Sequence, residues 1–178
     1  MRSSRLKLHG QAVVYHCISR CVAREMLLDD TAKEIFWRWM RTMADFCGVQ
    51  VLTCDLRQSA FAVSLQKEEP ISDKELLLRY AVLYSKVPGK VSAFENLLKR
   101  GGKEAEHERE RQLKRMGDIS FFMKEVKQRF GIWYNKSHNR IGTLWTERFK
   151  GVLVENSRTA LMTVAAYIDL DPVRVGLC

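Results

Sequence analysis

The chain lacks most of the features that are typical of membrane proteins, secreted proteins and proteins stabilised by a structural metal ion. No run approaches the roughly 18 apolar residues of a membrane-spanning helix, and the basic start has no apolar segment typical of a signal peptide. The five cysteines are irregularly spaced, without a Cys-x-x-Cys pair, which argues against a zinc site or a disulfide framework. We therefore expect reduced thiols, no membrane partner and a cytoplasmic location.

Histidine is also scarce, and positive charge is abundant. The four histidines are His9, His16, His107 and His138, and no two of them stand two residues apart on a strand. Lys and Arg number 30 against 21 Asp and Glu, a net charge of +9 in 178 residues. Folding does not need such an excess, which raises the local concentration of polyanions. The charge therefore predicts a nucleic-acid partner, with DNA first.

The first third of the chain predicts half of a ferredoxin-like α+β sandwich. Residues 12–20 are rich in β-branched and aromatic types and predict a strand. Apolar residues at steps of three and four predict an amphipathic helix over 31–47, ended by Gly48. Residues 49–55 and 60–65 predict two further strands. Strand, helix, strand, strand is the order expected for an antiparallel sheet packed against helices.

The middle of the chain changes character. Residues 66–117 are charged and helix-prone, and we interpret them as a helical insertion within one domain that spans 1–178. Asp118 predicts the start of a long helix with one apolar stripe that packs in the core. The polar residues 135–142 predict a loop.

The last elements are a strand and a helix. Residues 149–155 predict the fourth strand, and Ser157 predicts the cap of a helix that runs to about Leu170. Asp171-Pro172 is expected to end that helix, because a residue before proline is pushed out of the α region.

Two segments near the end are the most specific in the chain. They are Gly142-Thr-Leu-Trp-Thr-Glu-Arg-Phe-Lys150 and Ala166-Tyr-Ile-Asp-Leu-Asp-Pro-Val-Arg-Val-Gly-Leu177. Together with the opening strand Tyr15-His-Cys-Ile-Ser-Arg20, they resemble the REP-associated and insertion-sequence-type single-tyrosine transposases of the HUH superfamily. Those proteins carry a Gly-x-Leu-Trp-x-x-Arg-Phe stretch, followed by a Tyr-Ile-x-x-Asn-Pro-Val-Arg-x-Gly segment. The order of predicted helices and strands agrees along nearly the whole chain.

The resemblance implies both a fold and a chemistry. The fold is an antiparallel sheet packed against helices, and the chemistry is cleavage and rejoining of single-stranded DNA beside a hairpin. By motif position Tyr167 would be the nucleophile, attacking a phosphodiester to form a covalent 5′-phosphotyrosine. In the family a divalent metal, Mg²⁺ or Mn²⁺, polarises the phosphate and spreads its growing charge.

The chain departs from the family where the metal should bind. The family holds its metal with a His-hydrophobic-His motif on an inner strand, and the matching triplet here is Ala60-Phe61-Ala62. A methyl group cannot ligate a metal, and the preceding Arg57-Gln58-Ser59 also differs from relatives. Asp171, four residues after Tyr167, is the one matching ligand left, and a single carboxylate would hold Mg²⁺ weakly. We therefore expect no tightly bound cofactor and impaired cleavage.

Three functions remain open at this point. The first is a DNA-binding member of the transposase family, recognising single-stranded or hairpin DNA, that has lost or nearly lost strand cleavage. The second is an active nuclease with substitute ligands such as Asp55, Asp169 or Asp171. The third is an unrelated basic ferredoxin-like module that binds RNA or a protein. A homodimer is compatible with each of them.

The candidate DNA contacts are basic side chains in or beside the predicted loops. Trp145 is a candidate for stacking on an unpaired base, and core packing beside Leu144 is an equally good interpretation. The charged and polar candidates are Arg20, Arg24, Lys136, His138, Arg140, Arg148 and Lys150.

Overall fold

The computed structural model describes residues 13–22, 29–55, 60–65, 70–155 and 157–174. Four strands and six helices follow one another in these ranges. In chain order they are β1 (Val13–Ile18), α1 (Asp30–Cys47), β2 (Val49–Asp55), β3 (Ala60–Leu65), α2 (Asp73–Tyr84), α3 (Lys90–Arg100), α4 (Gly102–Leu113), α5 (Ile119–Ser137), β4 (Lys150–Val154) and α6 (Arg158–Arg174).

The four strands form one antiparallel sheet in the order β2-β3-β1-β4. In chain order, β1, α1, β2, β3, α5 and β4 give the ferredoxin-like succession, with α2, α3 and α4 placed between β3 and α5. The predicted α+β fold with an antiparallel sheet is confirmed. No helix within the described ranges is long and apolar enough to cross a bilayer.

Helix α1 covers one face of the sheet together with α5. It begins because the Asp29 side chain accepts a hydrogen bond from the backbone N–H of Ala32 at 2.7 Å. It ends at Gly48, whose φ of 66° is left-handed, and a Cβ at this position would collide with the guanidinium of Arg79. Phe36 on its buried stripe meets Phe130 of α5 edge-on, with ring centroids 5.0 Å apart. The predicted helix and its glycine stop are confirmed.

Helix α5 begins as predicted but ends later. The Asp118 carboxylate accepts from the backbone N–H groups of Ser120 at 2.6 Å and Phe121 at 3.1 Å. Residues 135–137, predicted as part of a loop, are instead the last helical residues. The polar sequence favoured a loop in the prediction. The exposed last turn of a helix, however, needs no apolar residue. The chain then turns at Asn139, which has a left-handed φ of 49°.

Helix α6 covers the opposite face of the sheet, where Ile168 packs on Ala62 and Val164 adds to the contact. Ser157 accepts a hydrogen bond from the backbone N–H of Ala160 at 3.2 Å and caps the helix as predicted. The prediction that Asp171-Pro172 ends this helix is wrong, since α6 continues to Arg174. Proline has a helical φ, so its loss of one N–H donor can bend a last turn without stopping it.

Candidate nucleic-acid interface

Residues 142–149, called here the Gly-Leu-Trp segment, are fixed by contacts with α5. Gly142 has a φ of 99°, which favours glycine, and its carbonyl accepts from the Asn135 side-chain amide at 2.7 Å. Leu144 and Phe149 are buried in the core. These roles explain the glycine and the apolar positions of the segment structurally. Arg148 is different, because its side chain is exposed.

Trp145 is anchored in the same way. Its indole N–H donates to the backbone carbonyl of Lys127 at 2.9 Å, and its ring lies 6.3 Å from Phe36 and 6.1 Å from Phe130 between centroids. The ammonium of Lys127 stands 5.0 Å from the centre of the Trp145 ring. The ring is half-buried and packs against the core, so of the two interpretations the contacts favour packing over stacking on DNA.

The Gly-Leu-Trp segment is hydrogen-bonded to the chain that leaves β1. Both the backbone N–H and the hydroxyl of Thr146 donate to the carbonyl of Arg20, at 3.0 and 3.1 Å. In the sheet, Lys150 stands opposite Ile18, the last residue of β1. Three exposed basic residues therefore lie at one end of the sheet. We call Arg20, Arg148 and Lys150 the basic end.

Ion pairing at the basic end is slight. Lys150 lies 3.6 Å from the carboxylate of Glu147, a contact between two exposed side chains. Within the described ranges, neither Arg20 nor Arg148 forms an ion pair. Two arginines are thus exposed to solvent, and their guanidinium N–H groups are available to an anion.

The other candidates lie at the far end of α5 or outside the described residues. His138 stacks on Tyr134 with ring centroids 3.9 Å apart, and the Arg140 guanidinium lies 5.9 Å from the same ring. Lys136 is exposed. At 1.5 Å per helical residue, Lys136 is roughly 18 Å along α5 from Lys124, which lines one groove with Arg148. The candidates therefore form two groups, and Arg24 lies outside the described residues.

Tyr167 lies on α6, on the sheet face opposite to α1 and α5. It is 46% exposed, and the next residue, Ile168, is buried on Ala62 of β3. The Tyr167 ring meets His16 of β1 edge-on, with centroids 6.1 Å apart. Tyr167 therefore contacts β1 on the face of the sheet to which Ala62 also belongs.

His16 is the residue that sequence reasoning missed. The family motif places two imidazoles on one strand, whereas His16 stands directly opposite Ala62 on the neighbouring strand. Opposing residues of an antiparallel pair lie on the same face. The signal was present in β1, because Tyr15 and Cys17 have the pattern of core residues and leave His16 for the other face.

The residues present do not fit the divalent metal that the resemblance implies. The methyl group of Ala62 is buried under Ile168, so an apolar contact fills one of the two matched ligand positions. Among the described side chains, no group of three or more His, Cys, Asp or Glu could hold a metal ion. Position 55 pairs with position 60 across β2 and β3, while the side chains of Asp55, Asp169 and Asp171 lie outside what is described.

Comparison with known proteins gives no family to set beside this geometry. No protein-family model matches the chain, and no curated protein matches it. The basic end and the Tyr167–His16 contact are therefore the features of the structure that bear on function.

Proposed function

We propose that this chain is a transposase-like protein that binds single-stranded or hairpin DNA through the basic end and does not carry out metal-dependent tyrosine cleavage. One observation carries the proposal. Arg20 and Arg148 are exposed, lack acidic partners in the described ranges, and are held at one end of the sheet by the hydrogen bonds of Thr146. Guanidinium groups in this state are suited to phosphate contacts.

The preference for unpaired DNA follows from the resemblance, and the chemistry of the Tyr167 face supports the loss of cleavage. A phenol has a pKa near 10 and needs an electrophilic partner at the phosphate to act as a nucleophile. Ala62 stands in one of the matched ligand positions and has only a buried methyl group, which cannot hold a metal ion beside Tyr167. Binding without cleavage is the function that these contacts support best.

The position of His16 favours a second candidate function. Its ring lies on the same face as Ala62 and within contact of Tyr167. An imidazole there could accept the phenolic proton or ligate a transition metal in place of the lost histidines. The second candidate is therefore an active tyrosine nuclease with His16 at its site.

The binding proposal is tested by fluorescence anisotropy on a hairpin with a single-stranded flank, a duplex of the same sequence and a structured RNA. The hairpin should bind more tightly than the other two. If about five phosphates of a single strand are contacted, log K should fall with log[salt] with a slope near −3.5. A flat salt response would contradict the proposal, and clear preference for the RNA would favour the third function.

The cleavage proposal is tested by looking for a covalent protein–DNA adduct. The unmodified chain should give none with Mg²⁺ or Mn²⁺, and Tyr167→Phe should change nothing. Ala60→His with Ala62→His restores two imidazoles, and Ile168→Ala makes room for them because Ile168 covers Ala62. This variant should form an adduct with Mn²⁺, which Tyr167→Phe then abolishes.

Two results would change the conclusion. An adduct with the unmodified chain that is lost in both Tyr167→Phe and His16→Ala would establish the second candidate. A restored variant that folds and binds Mn²⁺ but gives no adduct would place the defect in DNA positioning rather than in metal loss. Circular dichroism and metal titration supply the two controls.

A further inference from the structure

A groove of about 610 Å³ lies between the first half of α5 and the Gly-Leu-Trp segment. Its apolar lining is aromatic, from Phe121, Trp145 and Phe149. Pockets of this size accept small molecules, and their orientation is usually fixed by a few polar groups at the rim. The groove is therefore large enough for one nucleotide.

The charged lining of the groove is mainly basic. Lys127 is buried, and its ammonium donates to the carbonyl of Glu147 at 2.8 Å, which fixes a positive charge beside the Trp145 ring. Lys124 and Arg148 also line the groove, are exposed and form no ion pair with any described residue. An aromatic floor with two available cations is complementary to a flat apolar group that carries a negative charge.

The groove also continues the basic end, because Arg148 belongs to both. Lys150 follows two residues later in β4, and Arg20 is tied to the same segment through Thr146. A phosphodiester chain bound along Arg20 and Lys150 would therefore reach the groove at Arg148. This continuity selects a nucleotide of a bound strand over a separate small aromatic acid.

We propose that the groove receives one unpaired nucleotide of the bound DNA, with the base against the partly exposed ring of Phe121 and a phosphate near Lys124 and Arg148. This inference rests on the proposed function and adds to it a single base-binding position. Base–aromatic contacts tolerate any base, so the position should recognise that a base is unpaired rather than which base it is.

The inference is tested by an abasic scan of the single-stranded flank combined with a groove-filling variant. In the unmodified chain, one abasic position should weaken binding roughly tenfold, as expected for the loss of one stacked base. Gln128→Trp, at an exposed lining position, should weaken binding of the intact flank to a similar degree and leave the salt slope unchanged. In Gln128→Trp, an abasic site at that same position of the flank should no longer weaken binding.

Matched controls come from the same helix and from α4. Ile132→Trp places the same side chain at an exposed position of α5 outside the groove lining and should bind as the unmodified chain does. Lys124→Gln should weaken binding about fivefold in 0.1 M salt, whereas Lys103→Gln, on the exposed surface of α4, should have little effect.

The outcomes separate this inference from the proposed function. Equal tolerance of abasic sites along the flank, or normal binding by Gln128→Trp, would overturn the groove while salt-dependent binding stands. Absence of DNA binding by the unmodified chain would overturn both. The abasic scan uses the unmodified protein, so it does not depend on the folding of any variant.

Discussion

Two regions of the molecule use positive charge differently. Residues 73–113, which contain α2, α3 and α4 and are called here the helical array, have nine basic and seven acidic residues. Residues 119–150, from α5 into β4, have seven basic and two acidic residues. Most ion pairs of the helical array join neighbouring turns of one helix, as in Arg79–Glu75, Lys99–Glu95 and Arg111–Glu108, and Arg100–Glu104 joins the end of α3 to α4.

The difference shows where positive charge is left available. Pairs three or four residues apart support a helix by a few tenths of a kcal/mol. Five of the nine basic residues of the helical array form ion pairs with described acidic residues. In the second region, two ion pairs are formed, Arg129–Glu125 and Lys150–Glu147. Arg148 and Lys124 gain no such support. The total of +9 does not distinguish the two regions, whereas the pairing pattern does.

The largest expected effect comes from the anchor beneath the basic end. Leu144→Ala should lower the free energy of unfolding by about 2–5 kcal/mol, because Leu144 is buried and its truncation leaves a cavity. Leu113→Ala, at a partly buried position of the helical array, should lower it less. Urea denaturation measures both. Equal losses would contradict the view that the Gly-Leu-Trp segment is the more deeply anchored of the two.

The charge comparison itself is tested by removing three cations from each region. Replacing Arg20, Arg148 and Lys150 by Gln should reduce the steepness of the salt slope by about two and weaken binding to single-stranded DNA roughly 100-fold in 0.1 M salt. Replacing the exposed Lys74, Lys86 and Lys103 by Gln makes the same charge change in the helical array. That control should bind within a few-fold of the unmodified chain. Similar losses in both variants would mean that net charge alone drives binding.

The sequence predicts this fold well where local chemistry decides it. β-Branched and aromatic residues located β1, and the side chain of Asp29 and the left-handed Gly48 set the ends of α1. The prediction failed at the end of α6. Proline chemistry favoured an end before Pro172, yet α6 continues to Arg174, because the φ of proline is compatible with a last helical turn.

The candidate site divides in the same way. The exposure of Arg148 follows from its motif, since the apolar positions around it fill the core. The role of His16 depends on strand register, which brings residues 16 and 62 together from distant parts of the chain. A single strand pattern does not contain that pairing. The aromatic groove likewise arises from α5 and the Gly-Leu-Trp segment, which are adjacent only after folding.

Cys47, the last residue of α1, lies where the helical array meets the rest of the fold. Burial raises the pKa of its thiol to about 12, although the nearby Arg115 guanidinium opposes the shift. The backbone N–H of Gly117 donates to the Cys47 carbonyl at 2.9 Å, so the thiol lies where the chain returns from the array. Its reaction with thiol reagents at pH 8 should therefore be slow, because very little of the buried thiol is ionised.

The same thiol gives a pH dependence of known sign. Above the ordinary thiol pKa near 9, the unfolded chain loses this proton and the folded chain keeps it until about pH 12. The contribution of Cys47 to stability is therefore complete below pH 9 and falls by about 1.4 kcal/mol per pH unit above it. The difference between the unmodified chain and Cys47→Ala in urea denaturation isolates this contribution. A difference that does not change between pH 8 and pH 10 would mean that the Cys47 thiol is open to solvent.

The smallest expected effect is on the ion pair that ties α4 to the start of α2. Arg109 donates from Nε to the Asp73 carboxylate at 2.8 Å and from Nη2 to the carbonyl of Ile71 at 3.0 Å, and the Asp73 hydrogen bond raises the pKa of the guanidinium. Because the pair is partly exposed, a double-mutant cycle of Arg109→Met and Asp73→Asn should give a coupling below about 1 kcal/mol that weakens in salt.

Arg109→Met should also leave DNA affinity nearly unchanged, whereas Arg148→Met should weaken it about fivefold in 0.1 M salt. A loss of DNA affinity in Arg109→Met as large as that in Arg148→Met would extend the binding surface into the helical array and remove the distinction between paired and available charge.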